Sequence, residues 1–370
     1  MSADASGTLR LSRAVVAFPA ATPAPGGRGE RRPIGRKRML IEQARRVARQ
    51  WVLEEGAALP GFVGAFLTGS ALWAGAGDEL APTSDVDVML VTDPAARIGH
   101  IGKFRYKGVL LEVSSMAEPG STHDVLSDYH LAGSFHLPCV LADPSGRLTE
   151  LQRVVARDFA ERPWILARCT DAMDRVRGWI NGMDESAPLP DQVTAWLFGT
   201  GVTAHVLLVA GLRNPTVRRR YAAVRELLAE HGRLEFYEGL LDLLGCAELS
   251  PARVAGHLAV LEKVFDATAS VRVPAYRFDS DISPAARPAA IDGSRELIDR
   301  GLHREAIFWL VATYARCLAK RAAAGQGGYE EGLRELLADL GAATFADRRR
   351  RGDRVLAALP GLWQTATALC

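Results

Sequence analysis

Beyond Leu148 the chain shows helical periodicity and little else, and this one-sidedness limits its fold more than any other feature. Apolar positions there recur every three to four residues over 149–160, 164–182, 191–212, 217–230, 234–244, 251–269, 294–324, 329–340 and 345–358. Breaks fall at Pro188 and Pro190, at Asn214-Pro215, and from Ser283 to Pro288. Ahead of Leu148 the pattern differs. Met39, Leu40, Ala44, Val47, Trp51 and Val52 predict one amphipathic helix within 37–55. Pro60-Gly61 ends it, and Phe62–Thr68, Asp85–Val91 and Val109–Ser114 read as strands. The charged, hairpin-like stretch Lys103–Gly108 precedes the third strand, and Asp143-Pro144-Ser145-Gly146 is a turn. Strands on one side and helices on the other predict an α+β chain. A small mixed-sheet domain over 37–150 would precede an all-helical domain over 151–370. Residues 1–36, rich in Ala, Pro, Gly and Arg, read as a flexible tail.

The 370 residues suit two domains, and 48% apolar with 24% charged content excludes wholesale disorder. Lys+Arg is 45 against 43 Asp+Glu, a formal charge of +2 that supplies no general attraction to nucleic acid or anionic membrane. Five cysteines (139, 169, 246, 317 and 370) form no CxxC pair, which argues against a zinc site and for a reducing, cytoplasmic setting. The uncharged stretch Val193–Leu212 is long enough to span a bilayer. Gly199, Gly201, His205 and three threonines dilute it, so a buried core helix is expected and no membrane partner.

Chemistry concentrates between Phe66 and Val91. A strand ends at Thr68, Gly69-Ser70 turns into a short helix-like Ala71–Gly75, and a polar loop leads to Asp85-Val86-Asp87 at the start of the next strand. Gly69 permits close backbone approach to a phosphate, and Ser70 falls at a helix start, where free N–H groups attract anions. Strand side chains alternate, so Asp85 and Asp87 share a face. Two adjacent carboxylates repel unless a cation lies between them, and Mg²⁺ takes oxygen ligands together with substrate phosphates. Glu112, a lone acid in the apolar run Val109–Val113, would complete a three-carboxylate site; its bland alternative is pairing with Arg105.

The order Gly-Ser, loop, Asp-x-Asp strand, then a third acid on a later strand resembles the DNA-polymerase-β-type nucleotidyltransferase superfamily. More narrowly it resembles antibiotic-modifying adenylyltransferases of the streptomycin/spectinomycin type, whose third acid sits in a context like Leu111-Glu112-Val113. Fourteen residues separate Ser70 from Asp85, a longer loop than that pattern. The resemblance implies a polymerase-β-like sheet domain with a helical C-terminal domain. It implies Gly69 and Ser70 on the β/γ-phosphates of a nucleoside triphosphate, ATP by preference. Asp85 and Asp87 would ligate Mg²⁺, and Glu112 would ligate the metal near the attacking oxygen or accept its proton. The expected activity is transfer of a nucleoside monophosphate, AMP by preference, to a hydroxyl of a small molecule, either an aminoglycoside-like antibiotic or a biosynthetic intermediate. The alternatives are an RNA or protein acceptor, motivated by Arg218–Arg220 and Arg348–Arg351, and a non-catalytic nucleotide-binding regulator.

Other candidates have simpler readings. Lys103, Arg105 and Lys107 could reach triphosphate or form a solvated hairpin edge. Lys263 and Lys320 could reach phosphate or lie along the surface. His123, His130 and His136 flank Ser134 without a nucleophile elbow. Phe308, Trp309 and Tyr314 read as core, with base stacking the sharper option for Trp309 and Tyr314. Glu296, Asp299 and Glu305 read as helix-face partners of Arg295, Arg300 and Arg304, or as an acidic pocket for a cationic substrate.

Overall fold

A computed structural model describes residues 38–96, 101–215 and 219–370; the tail expected over 1–36 and Arg218 of the first arginine run lie outside them. Helix α1 (Ile41–Glu54) leads into β1 (Phe62–Thr68), α2 (Gly69–Trp73) and β2 (Val86–Thr92). The hairpin β3 (Gly102–Tyr106) and β4 (Val109–Ala117) follows, then α3 (Thr122–Ser127), α4 (Tyr129–Phe135) and β5 (Val140–Ala142). The five strands form one mixed sheet in the order β3-β4-β2-β1-β5. Only β2 and β4 pair in parallel; the other neighbours are antiparallel.

Alternation along β2 explains the sheet's two faces. Val86, Val88 and Leu90 are buried, while Asp87 and Met89 between them are only partly buried. The buried side packs with Leu111 and Val113 of β4 and with Ala44, Ala48, Trp51 and Val52 of α1 in one apolar cluster. Phe66 of β1 meets Phe135 of α4 with ring centroids 4.7 Å apart in the same cluster.

The remainder is helical among the described residues: α5 (Arg147–Asp158), α6 (Arg162–Asn181), α7 (Leu189–Ala210), α8 (Arg220–Glu230), α9 (Leu234–Leu244), α10 (Pro251–Ala269), α11 (Gly293–Asp299), α12 (His303–Ala323), α13 (Glu330–Asp339) and α14 (Phe345–Leu369). The apolar α7 is the axis of a second cluster, packed by α6, α12 and α14. Although long and apolar enough to cross a membrane, this helix is mostly buried within the protein. A Cβ on Gly201 would meet the Phe308 ring at 2.3 Å, so this glycine lets α12 press directly against α7.

Two expectations change. The single helix over 294–324 is two helices, interrupted at Gly301, which has φ +77°. The last helix runs past Pro360 to Leu369 rather than stopping at 358.

Candidate metal centre

Two registers build the site. The parallel pairing of β2 with β4 sets Asp87 opposite Glu112. The antiparallel hairpin sets Lys103 of β3 opposite the same Glu112. Asp85 lies two residues before Asp87, on the same side of the chain. Ligand oxygens of Asp85, Asp87 and Glu112 thereby come within 4.8 Å of one another.

Gly69 makes room for this cluster. It has φ +70°, and a Cβ there would lie 1.8 Å from Asp87 Oδ2. Neither the backbone conformation nor the space admits another residue, so the turn after β1 and the second aspartate fit as a pair. Ser70 follows, exposed, in the first turn of α2. Arg45 of α1 holds the other end of this short helix. Its guanidinium donates to the carbonyls of Ala71 (2.8 Å), Leu72 (2.9 Å) and Ala74 (2.6 Å). Two carbonyls of α2 and that of its C-cap residue Ala74 thus find one partner.

The long loop before Asp85 does not stand free. Ile41 N–H donates to Asp78 O (2.8 Å) and Leu80 N–H to Met39 O (2.8 Å), tying it to the start of α1. Farther on, the Thr83 hydroxyl donates to Glu296 of α11 at 3.3 Å.

Lys103 occupies the heart of the cluster. Its Nζ donates to Asp85 Oδ2 and to Glu112 Oε2, and its side chain is 11% exposed. The cation beside Glu112 is therefore Lys103 and not Arg105, whose side chain turns to Gly108 O at 3.3 Å. Burial opposes the ammonium, but the carboxylates of Asp85, Glu112, Asp281 and Asp87 together push Lys103 above its ordinary value. Asp87 is driven well above the usual carboxylate range, first by burial and then by the charges of Asp85 and Glu112, with Lys103 pulling the other way. An oxygen-only donor set carrying surplus negative charge is the chemistry that Mg²⁺ requires.

The segment between α10 and α11 reaches the same site. Ser280 Oγ accepts from the Lys103 main-chain N–H at 2.9 Å. The adjacent Asp281 is 6% exposed; its Oδ2 accepts from Arg316 (2.9 Å), whereas its Oδ1 has no hydrogen-bond partner among the described residues. Lys320, 0% exposed, locks the segment by donating to Asp279 O (2.9 Å) and Ile282 O (2.7 Å) and pairing with Asp279 Oδ1 (2.8 Å). Lys320 is thus a buried tether and neither a surface residue nor a phosphate ligand. Sequence reading missed Arg45, Ser280 and Asp281, because a clamp and a docking loop carry no local motif.

The remaining candidates disperse. Lys107 pairs with Glu54 (3.4 Å), and Lys263 is exposed on α10. Ser134 donates to Thr68 Oγ1 (2.9 Å), while His136 stacks on Phe159 (3.9 Å between centroids), His123 lies against Trp164, and His130 beside Tyr129; no Ser/His pair forms among them. Trp309 and Tyr314 are buried. Glu305 accepts from Tyr237 inside the helical core, and Glu296 faces Arg300 and Thr83, so these acids form no common pocket. Arg220 is buried against Phe308. Arg348, Arg349 and Arg351 donate to carbonyls of Ala342, Ile180 and Gly341, and Arg350 to Asp347. Of the second arginine run, Arg348 is buried, Arg349 and Arg351 are half-buried against carbonyls of the chain, and Arg350 is exposed beside Asp347.

No protein-family profile and no curated protein matches this chain.

Proposed function

We propose that this chain is a Mg²⁺-dependent nucleotidyltransferase of the polymerase-β-like type. The observation that carries this reading is the convergence of Asp85, Asp87 and Glu112 within 4.8 Å, beside a glycine turn whose missing side chain makes room for Asp87. Residues 37–150 would be the nucleotidyltransferase domain and 151–370 the helical wall of the acceptor side, with a cytoplasmic location. Mg²⁺ held by the three acids would supply charge stabilisation for the leaving pyrophosphate.

The chain's own groups would do the rest. Backbone N–H groups at Gly69 and Ser70 hold the β/γ-phosphates of the triphosphate, ATP by preference. A hydroxyl oxygen of the acceptor attacks the α-phosphorus; the new O–P bond forms as the bond to the β-phosphate oxygen breaks, and pyrophosphate leaves with that electron pair. Glu112 accepts the hydroxyl proton. A small hydroxylated acceptor, either aminoglycoside-like or a biosynthetic intermediate, is favoured over RNA because the arginines at 348–351 already serve this chain's own carbonyls and carboxylates.

The test is incubation of the protein with Mg²⁺, each of the four nucleoside triphosphates, and a panel of aminoglycosides, hydroxylated metabolites and tRNA. Pyrophosphate release and product mass are read together. The expected result is a mass gain of one nucleoside monophosphate on a small hydroxylated panel member, absent for Asp85→Ala. Failure of any triphosphate to bind in the presence of Mg²⁺, measured by calorimetry, would overturn the proposal.

A further inference from the structure

A fixed ammonium group inside a three-acid site competes with any metal ion those acids would bind. Here the strand register builds such a competitor in. Lys103 is paired with Glu112 across the hairpin, its Nζ contacts Asp85 and Glu112, and neither contact involves Asp87. The lysine is also fixed at its backbone. Ser280 Oγ holds its N–H at 2.9 Å, and the next residue, the buried Asp281, pairs through Oδ2 with Arg316 of α12 and has no hydrogen-bond partner on Oδ1 among the described residues. A lysine that drifted in from solvent would be tethered at neither end.

We propose that Lys103 is a resident cation of the centre: its ammonium takes one of the positions that Asp85 and Glu112 offer, so the triad accepts one divalent ion and not two. This rests on the nucleotidyl-transfer reading above and deepens it. With all three acids ionised around a bound metal, the carboxylates carry three negative charges; one ammonium leaves two, which a single divalent ion neutralises. Ser280 and Asp281 then have a definite task. They tie the cation position on β3 to the helical part of the chain, so that docking of the 270–286 segment and the charge state of the metal centre are linked.

Mn²⁺ is the probe. It is titrated into the full chain and counted by loss of its free-ion paramagnetic resonance signal, with Asp87→Asn as the ligand control. One Mn²⁺ per chain is expected for wild type. Lys103→Met is expected either to bind its first Mn²⁺ about tenfold more tightly or to admit a second, because a unit positive charge beside the ion has been removed. Lys103→Arg, which keeps the charge, should match wild type in count, and it serves if Lys103→Met does not fold. Two Mn²⁺ in wild type, or a Lys103→Met variant indistinguishable from wild type, would overturn the role of the lysine and leave the metal reading standing. Binding only after Lys103→Met would overturn the shared site, since the lysine would then exclude the metal. No Mn²⁺ in either protein would overturn the nucleotidyl-transfer reading itself.

Discussion

Asp87 is held at an unfavourable charge by its neighbours, so its removal separates function from stability. Asp87→Asn keeps the shape and deletes a ligand charge; product formation should fall at least about a hundredfold, since metal charge stabilisation amounts to several kcal/mol. The melting temperature of the metal-free protein should hold or rise, because a repulsion with Asp85 and Glu112 disappears. Assay and thermal melt together check both signs. His136 supplies the clearest pH effect. Burial, opposed by hydrogen bonds to backbone carbonyls, brings its pKa down to about 4, with the ring stacked on Phe159 and the Trp73 ring tilted against it. A folded pKa below the unfolded one favours the neutral ring in the native state. Its contribution is complete above about pH 6.5 and is lost as pH falls from there toward 4. Part of the ring meets solvent, so roughly 1–2 kcal/mol is at stake. His136→Gln should flatten the slope of melting temperature between pH 6.5 and 4, and parallel slopes would remove the assignment. The three acids were legible in the sequence because acids inside apolar strands are conspicuous. The partner of Glu112 was misread as Arg105, because nearness in sequence does not set pairing; the two-residue turn at Lys107-Gly108 does. That turn sets Tyr106 against Val109 and hence Lys103 against Glu112. Arg105, nearer in sequence, falls opposite Leu110 instead.

Among the elements, α2 is too short to hold itself in place. Five residues make little more than one turn, and such a helix persists only when other elements bind its ends. Arg45 does this from α1. Arg45→Ala removes three hydrogen bonds of about 1 kcal/mol each, so triphosphate affinity should fall severalfold along with a loss of stability. Calorimetric titration with triphosphate checks it: unchanged affinity in a destabilised variant would mean the clamp serves folding alone. Elements with strong periodicity were read well from sequence, including the strand at Phe62–Thr68 and the helix within 251–269. The short ones were not. β5 pairs for three residues, and α3 and α4 begin at side-chain caps from Ser121 and Asp128, signals weaker than a repeating apolar stripe. The break at Gly301 was hidden because apolar spacing continues on both sides of it.

Across the whole molecule, the sheet-side and helical apolar clusters are joined near the candidate site by a polar loop, and one buried lysine sets that loop's shape. Lys320→Met should destabilise the protein by about 3 kcal/mol, because it strands Asp279 and two carbonyls beneath the surface. A urea transition shifted by much less would mean the loop relaxes without it. Docking of this loop on β3 was invisible in the sequence: Ser280 and Lys103 are 177 positions apart, and a single hydrogen bond leaves no local pattern. The burial of α7 has a consequence for how the protein is made. Its apolar surface is covered in part by α14, which the ribosome produces long after α7 has emerged. At roughly 5–20 residues per second, the segment stays incompletely covered for several seconds or more. In that interval it is a natural ligand for chaperones that hold apolar chains, and their supply would govern the yield of folded protein before catalysis becomes a question.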